Sequence, residues 1–202
     1  AGGHNWQPMA YNPKTGLVYI PARESAGLFA LSRNWTKKGE TPFINNWWNI
    51  GVDWDTYTEL AETARPDLSN NDYGFLGAWD PLKSQYKWSY KHKNIVNGGV
   101  LTTAGDLVFQ GAGDGIFRAH HAETGEVLWS KDLQTGMVAP PITYRINKEQ
   151  YIAILAGWGG SAIASGNPKT SAAGKYGNSG KLFVFKLGGN QRYPSLKKRK
   201  EK

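Results

Sequence analysis

Two stretches of this chain repeat each other. Residues 78–89 (AWDPLKSQYKWS) align without a gap on residues 119–130 (AHHAETGEVLWS). Each runs small–aromatic–polar, passes a turn, and leads through apolar or aromatic positions into Trp-Ser. The tryptophans, Trp88 and Trp129, lie 41 residues apart. The residues between them read as antiparallel structure. Leu107-Val108-Phe109 is a short β-forming run bounded by glycines. Gly113-Asp114-Gly115 is a tight turn, Asp-Gly being a strong hairpin signal. A second strand is expected over 116–121, a turn at Thr124-Gly125, and a third strand from Val127-Leu128-Trp129. Short strands about ten residues apart argue for all-β architecture rather than βαβ units. A repeat of roughly 40–45 residues with several strands in each is the period of β-propeller blades. A blade buries its faces only against neighbouring blades.

The rest of the chain extends the pattern. Asn12-Pro13-Lys14-Thr15-Gly16 is a turn between two expected strands within residues 6–20, and further strands are expected at 74–79 and 86–90. Residues 93–99 read as a connector, with Asn97-Gly98 as a turn. Residues 137–145 read as a strand interrupted by Pro140-Pro141, hence at an edge or a bulge. Residues 150–156 form an apolar strand running into Gly157-Trp158-Gly159-Gly160, residues 161–180 a small-residue loop, and KLFVFKL at 181–187 a last alternating strand. Residues 23–72 break the pattern: they are polar and aromatic with weak periodicity, and only 58–64 suggest helical turns. They read as an insertion that either packs on the blades or lines an entrance.

The expected fold is therefore all-β, with about three four-stranded antiparallel blades of an eight-bladed β-propeller and one long loop insertion. Residues 1–190 form the partial propeller, in blades 1–92 (with the insertion at 23–72), 93–132 and 133–190. Residues 191–202 form a basic tail. Three blades cannot close a ring, so the chain is expected to be the C-terminal part of something larger or to associate.

Composition removes several functions. With 40% apolar residues and nine Trp, the chain is not disordered overall. It has no Cys, which excludes disulfides, thiolate metal sites, iron–sulfur clusters and a Cys-x-x-Cys-His haem attachment. No run of eighteen apolar residues occurs, so no membrane span is expected. The net charge of +8 is concentrated in Lys197-Lys198-Arg199-Lys200, a terminal run rather than a folded basic face, so no nucleic-acid partner is expected. The histidines at 4, 92, 120 and 121 form no zinc pattern. Asp106 and Asp114 sit at turns, where Asp is common, and Asp53 and Asp55 lie in the insertion without metal-ligand spacing.

Several of these motifs resemble the pyrroloquinoline quinone (PQQ) dependent alcohol dehydrogenases, most of all their soluble quinohaemoprotein type. The two Trp-ended repeats resemble that family's tryptophan-docking repeat. Gly3-His4-Asn5-Trp6, with Pro8-Met9 and Thr15-Gly16-Leu17-Val18-Tyr19, is similar to a second segment; Asn97-Gly98-Gly99-Val100 and Gly157-Trp158-Gly159-Gly160 are similar to two more. The resemblance implies an eight-bladed propeller holding PQQ near its axis beside a calcium or lanthanide ion. It implies oxidation of a small alcohol to an aldehyde, a cytochrome or similar electron acceptor, and a periplasmic location. Asn5 and Trp6 match an Asn-Trp pair that contacts PQQ, an amide and an indole N–H being suitable donors. Ser161 matches a position whose backbone approaches the cofactor. Trp6 as a core aromatic, and the Gly-Trp-Gly-Gly turn as a plain strand exit, are the alternative readings. The resemblance places the metal ligands and catalytic aspartate outside this chain, so no catalytic or metal residue is assigned within it, and the rest of the propeller or a partner chain must supply them. The competing function is a non-catalytic propeller-repeat binding or scaffold module.

Overall fold

The computed structural model describes residues 3–25, 72–159, 170–192 and 195–198. The insertion between 26 and 71, including its expected helical turns and Asp53 and Asp55, lies outside the described residues, as does Ser161.

The described residues form three antiparallel sheets. The first is ordered β1 (Ala10–Asn12), β2 (Leu17–Glu24), β3 (Tyr73–Asp80), β4 (Gln85–Lys91). The second is β5 (Asn97–Thr103), β6 (Leu107–Ala112), β7 (Ile116–His121), β8 (Val127–Asp132). The third has β10 (Glu149–Ala156) between β9 (Ile142–Ile146) and β11 (Lys181–Lys186). Among the described residues the third sheet has three strands, the two expected within 137–156 and the last at 181–187.

Local chemistry explains the hairpins. Gly115 takes φ +84° behind Asp114, whose Oδ1 accepts from the Ile116 N–H at 3.0 Å. The two repeats fold alike. Ala78 pairs with Trp88 and Ala119 with Trp129, and a register shift follows immediately in each, between Ala78 and Trp79 and between Ala119 and His120. The left-handed turn residue falls at matching positions too, Ser84 (φ +52°) and Gly125 (φ +78°). The non-glycine repeat compensates with Asp80, which accepts from the N–H groups of Leu82 and Lys83 at 3.0 and 3.1 Å. Those bonds favour the anion and hold the Asp80 carboxyl below its ordinary pKa.

Three local expectations change. Asn97 and Gly98 open β5 instead of turning: Asn97 is buried, and its amide donates to the Ala22 carbonyl at 2.7 Å. The prolines at 140 and 141 precede β9, which begins at Ile142 and lies at the sheet edge. Among the described residues, the loop at 161–180 contains one short helix, α1 (Ala172–Tyr176), whose N-cap Ser171 accepts from the Gly174 N–H at 3.0 Å.

Strand alternation sends β6 and β7 into two cores. Val108 joins Leu17, Tyr19, Leu76 and Ala78 between the first and second sheets. Phe109, Phe117 and Ala119 join Met137, Ile152 and Ile154 between the second and third. The far face of the third sheet leaves Ile142, Leu155, Leu182 and Val184 exposed.

Candidate functional site: an open cavity at the strand exits

Three chain segments meet beyond the ends of the second and third sheets. The Gly157 N–H donates to the Gly136 carbonyl at 2.8 Å, and Met137 bridges Gly157 in parallel. Thr135 Oγ1 donates to the Ser179 carbonyl at 3.0 Å. The Trp158 side chain is 3% exposed and sits where β-carbons on Gly136 and Gly113 would fall 2.3 and 2.9 Å from it, so both positions require glycine.

Beside this junction opens a cavity of about 770 Å³. Trp6, Pro140, Leu155 and Leu182 give it apolar walls, residues 157–159 supply main chain, and Asn178 and Lys181 supply polar groups. No acidic side chain among the described residues lines it. Trp6 is 60% exposed within this chain and stands on the cavity wall. Trp158 is buried while its glycine neighbours line the cavity, so this turn is both a strand exit and a wall. Asn5 is exposed and is not among the lining residues.

A planar, anionic, fused-ring cofactor suits this wall. The uncovered indole of Trp6 offers a stacking or edge surface and one N–H donor. A β-carbon built on Gly159 meets nothing within 4 Å among the described residues, which leaves its main chain open to them on that side. Lys181 places an ammonium on the lining, where carboxylates can be met. The residues here fit one side of such a group.

The remaining polar groups have structural partners. Asp106 pairs with Lys14, and Asp114 with Arg118 at 2.6 Å. His4 Nδ1 lies 2.8 Å from the Pro21 carbonyl, and His121 Nδ1 accepts from the Glu123 N–H at 3.3 Å. His92 and His120 are buried between the first and second sheets. Among the described residues no cluster of acidic or histidine side chains could hold a metal ion.

Successive antiparallel sheets of three or four strands, packed face to face with a cavity at the strand exits, have the form of β-propeller blades. A family model described as glucose/ethanol/alcohol dehydrogenase, beta-propeller domain, matches residues 70–152. The dehydrogenase subunit of the quinone alcohol dehydrogenase of Acetobacter aceti is 40% identical over 98% of this chain and 26% of its own length. The quinohemoprotein alcohol dehydrogenase ADH-IIG of Pseudomonas putida is 39% identical over 93% of this chain and 26% of its own. A solved structure of that P. putida enzyme superposes with a TM-score of 0.78 at 33% identity, covering 99% of this chain and 28% of that one. A europium-containing methanol dehydrogenase superposes at 0.65 with 27% identity, covering 92% and 33%. The chain thus matches the PQQ β-propeller domain model and aligns along its length with a segment of quinone-dependent alcohol dehydrogenases. It spans about a quarter of the length of the curated relatives it matches.

Proposed function

We propose that this chain forms one side of the PQQ pocket of a dehydrogenase that oxidises small alcohols to aldehydes. The observation that carries the reading is a convergence. Trp6 and the Gly157-Trp158-Gly159 turn, far apart in sequence and matched separately to the family's cofactor contacts, line the same cavity. When bound, the quinone would accept the hydride, and with it the two electrons, that leave the alcohol. The work of this chain is to bind and orient it: Trp6 covers part of one face, the glycine main chain allows close approach, and Lys181 offsets carboxylate charge. Asn5 and Ser161 complete the set of contacts implied by the family resemblance. A calcium or lanthanide ion beside the cofactor, and the catalytic base, are assigned to residues outside this chain. Electrons pass to a cytochrome or a similar acceptor in the periplasm. No helix among the described residues is long and apolar enough to cross a membrane.

Trp6→Ala in the intact protein tests the assignment. The side chain is largely exposed, so its removal is expected to leave the unfolding midpoint within a degree or two while weakening PQQ binding about tenfold or more (about 1.4 kcal/mol). Calorimetric titration of PQQ into the cofactor-free protein reads the affinity. Equal affinity in wild type and variant would remove Trp6 from the pocket.

A further inference from the structure

The wall at residues 157–159 is rich in glycine, the residue that loses most conformational freedom on being ordered. Something must hold it. The strand ladder ends at Ala156, and the Gly157 N–H bond to Gly136 fixes only the near side of the turn. On the far side, among the described residues, one side chain takes over. Asn178 Oδ1 accepts from the Trp158 N–H at 2.7 Å, and Asn178 Nδ2 donates to the Trp158 carbonyl at 2.6 Å. The side-chain amide thus pairs with one residue's main chain as a neighbouring strand would, satisfying both of its polar groups. The amide orientation is dictated by these two partners, since only one assignment matches donor to acceptor at both ends.

The segment carrying Asn178 is itself anchored. Gly177 ends α1 with its N–H on the Ala173 carbonyl at 2.9 Å, and Thr135 Oγ1 holds the Ser179 carbonyl. Asn178 also lines the cavity. It therefore stands between a rigid support and the glycine wall that the cofactor reading uses.

We infer that Asn178 is a positioning residue for the cofactor: by clamping the Trp158 main chain, it holds Gly157 and Gly159 where PQQ can lie against them. The inference rests on the reading of the cavity as a PQQ site. Neither the sequence pattern nor the family resemblance singled this residue out.

The test uses the intact protein freed of cofactor and titrated with PQQ, alongside thermal unfolding. Asn178→Ala removes the clamp, and Asn12→Ala removes another buried asparagine bonded through both ends of its amide, at the end of β1 and outside the cavity. The expected result is a dissociation constant raised about tenfold or more in N178A (about 1.4 kcal/mol), with N12A binding PQQ as wild type does at a comparable thermal shift. Should N178A not fold, N178S, which keeps a hydroxyl at the position, is compared with N12A in the same way. If wild type binds PQQ and both variants bind it equally well, Asn178 is structural only and the inference is overturned while the cavity reading stands. If wild type does not bind PQQ, the cavity reading falls and the inference with it.

Discussion

The two faces of β6 and β7 meet their neighbours by different physics. Toward the third sheet they present Leu107, Phe109, Phe117 and Ala119, which pack on Met137, Ile152, Ile154, Phe183 and Phe185. The ring of Phe117 lies 5.6 Å from that of Phe185 and edge-on to Trp129 at 5.9 Å. Toward the first sheet the same strands present Val108 together with Gln110, Arg118 and His120, all buried. Gln110 Nε2 donates to the Gly98 carbonyl at 2.9 Å, which leaves its Oε1 to accept from His92 Nε2 at 2.9 Å. Arg118 binds both carboxylate oxygens of Asp114 and lies over the Tyr90 ring at 5.4 Å. Tyr90 in turn meets His92 and His120 edge-on at 5.4 and 4.8 Å. An apolar interface stabilises in proportion to area and tolerates repacking. A polar one tolerates only the neighbour that satisfies it. The second sheet thus adheres to the third and is matched specifically to the first.

The apolar side should show the largest single effect. Phe117 is fully buried and touches rings from both sheets. Phe117→Ala leaves a cavity that β-strands cannot close, and is expected to cost about 3–5 kcal/mol in unfolding by urea. Apolar and aromatic side chains of the core pack on Phe117, so the loss should be the same at neutral and mildly acidic pH. A strongly pH-dependent loss would show that this interface is not the apolar one described.

The polar side should announce itself through pH. Burial, then the nearby Arg118 charge, pushes His92 down to about 4, against smaller opposing effects of Asp114 and the Gln110 bond. The geometry agrees. Nε2 carries the proton toward Gln110, and Nδ1 is buried with no partner among the described residues, so a second proton would find no acceptor. Above pH about 6.5 His92 is neutral in both folded and unfolded chains and adds no pH dependence. As pH falls from there toward 4, the unfolded chain takes a proton that the folded one refuses, and stability drops. The loss approaches about 3 kcal/mol and is complete below the folded value. His120 is lowered in the same direction, by burial first, and adds to the slope. His92→Gln keeps an amide donor for Gln110 but does not titrate. Its stability is expected to fall less between pH 7 and 4.5 than that of wild type, and parallel curves would remove His92 from this role.

What the sequence made legible follows the same division. The hairpins could be read because turn chemistry is local: Asp114-Gly115 and Thr124-Gly125 sit where the backbone turns. The repeat could be read because a period of 41 residues carries the same cross-strand pair and the same irregularity, Ala78 with Trp88 and Ala119 with Trp129. The run Leu107-Val108-Phe109 marked a strand, without showing which core each side chain enters. The polar interface left no mark, since His92, Gln110 and Arg118 belong to a loop and two strands, and nothing local makes them partners. Asn97-Gly98 misled because Asn-Gly favours a turn, yet the buried bond from Asn97 to Ala22, on the neighbouring sheet, overrides that preference. Helix α1 has five residues, too few for any periodicity to register. Trp6 could be singled out only through the family resemblance, whereas Asn178 acts on a residue twenty positions away and left no signal in the sequence.

The smallest expected effect separates the two tryptophans of the repeat. Trp88 reaches from the first sheet to the second: Nε1 donates to the Ala122 carbonyl at 3.0 Å, and the ring covers Gly125, whose β-carbon would stand 2.6 Å from it. His120 stacks on it at 6.0 Å. Trp129 occupies the matching position one repeat later but is 39% exposed, and its contact with the third sheet is an edge-on meeting with Phe185 at 5.4 Å. Phenylalanine at position 88 removes the indole donor and part of the ring. The Ala122 carbonyl keeps the Tyr19 hydroxyl, 3.0 Å away, as a second donor, so it is not left unsatisfied. The expected cost of Trp88→Phe is therefore about 1–2 kcal/mol, a lost hydrogen bond and a small void rather than an orphaned acceptor. Trp129→Phe removes no hydrogen bond among the described residues and should cost at least about 1 kcal/mol less. Urea unfolding of the two variants side by side measures the difference. Equal losses would mean that the tryptophans serve both interfaces in the same way, and that the contrast between the specific and the adhesive face does not extend to them.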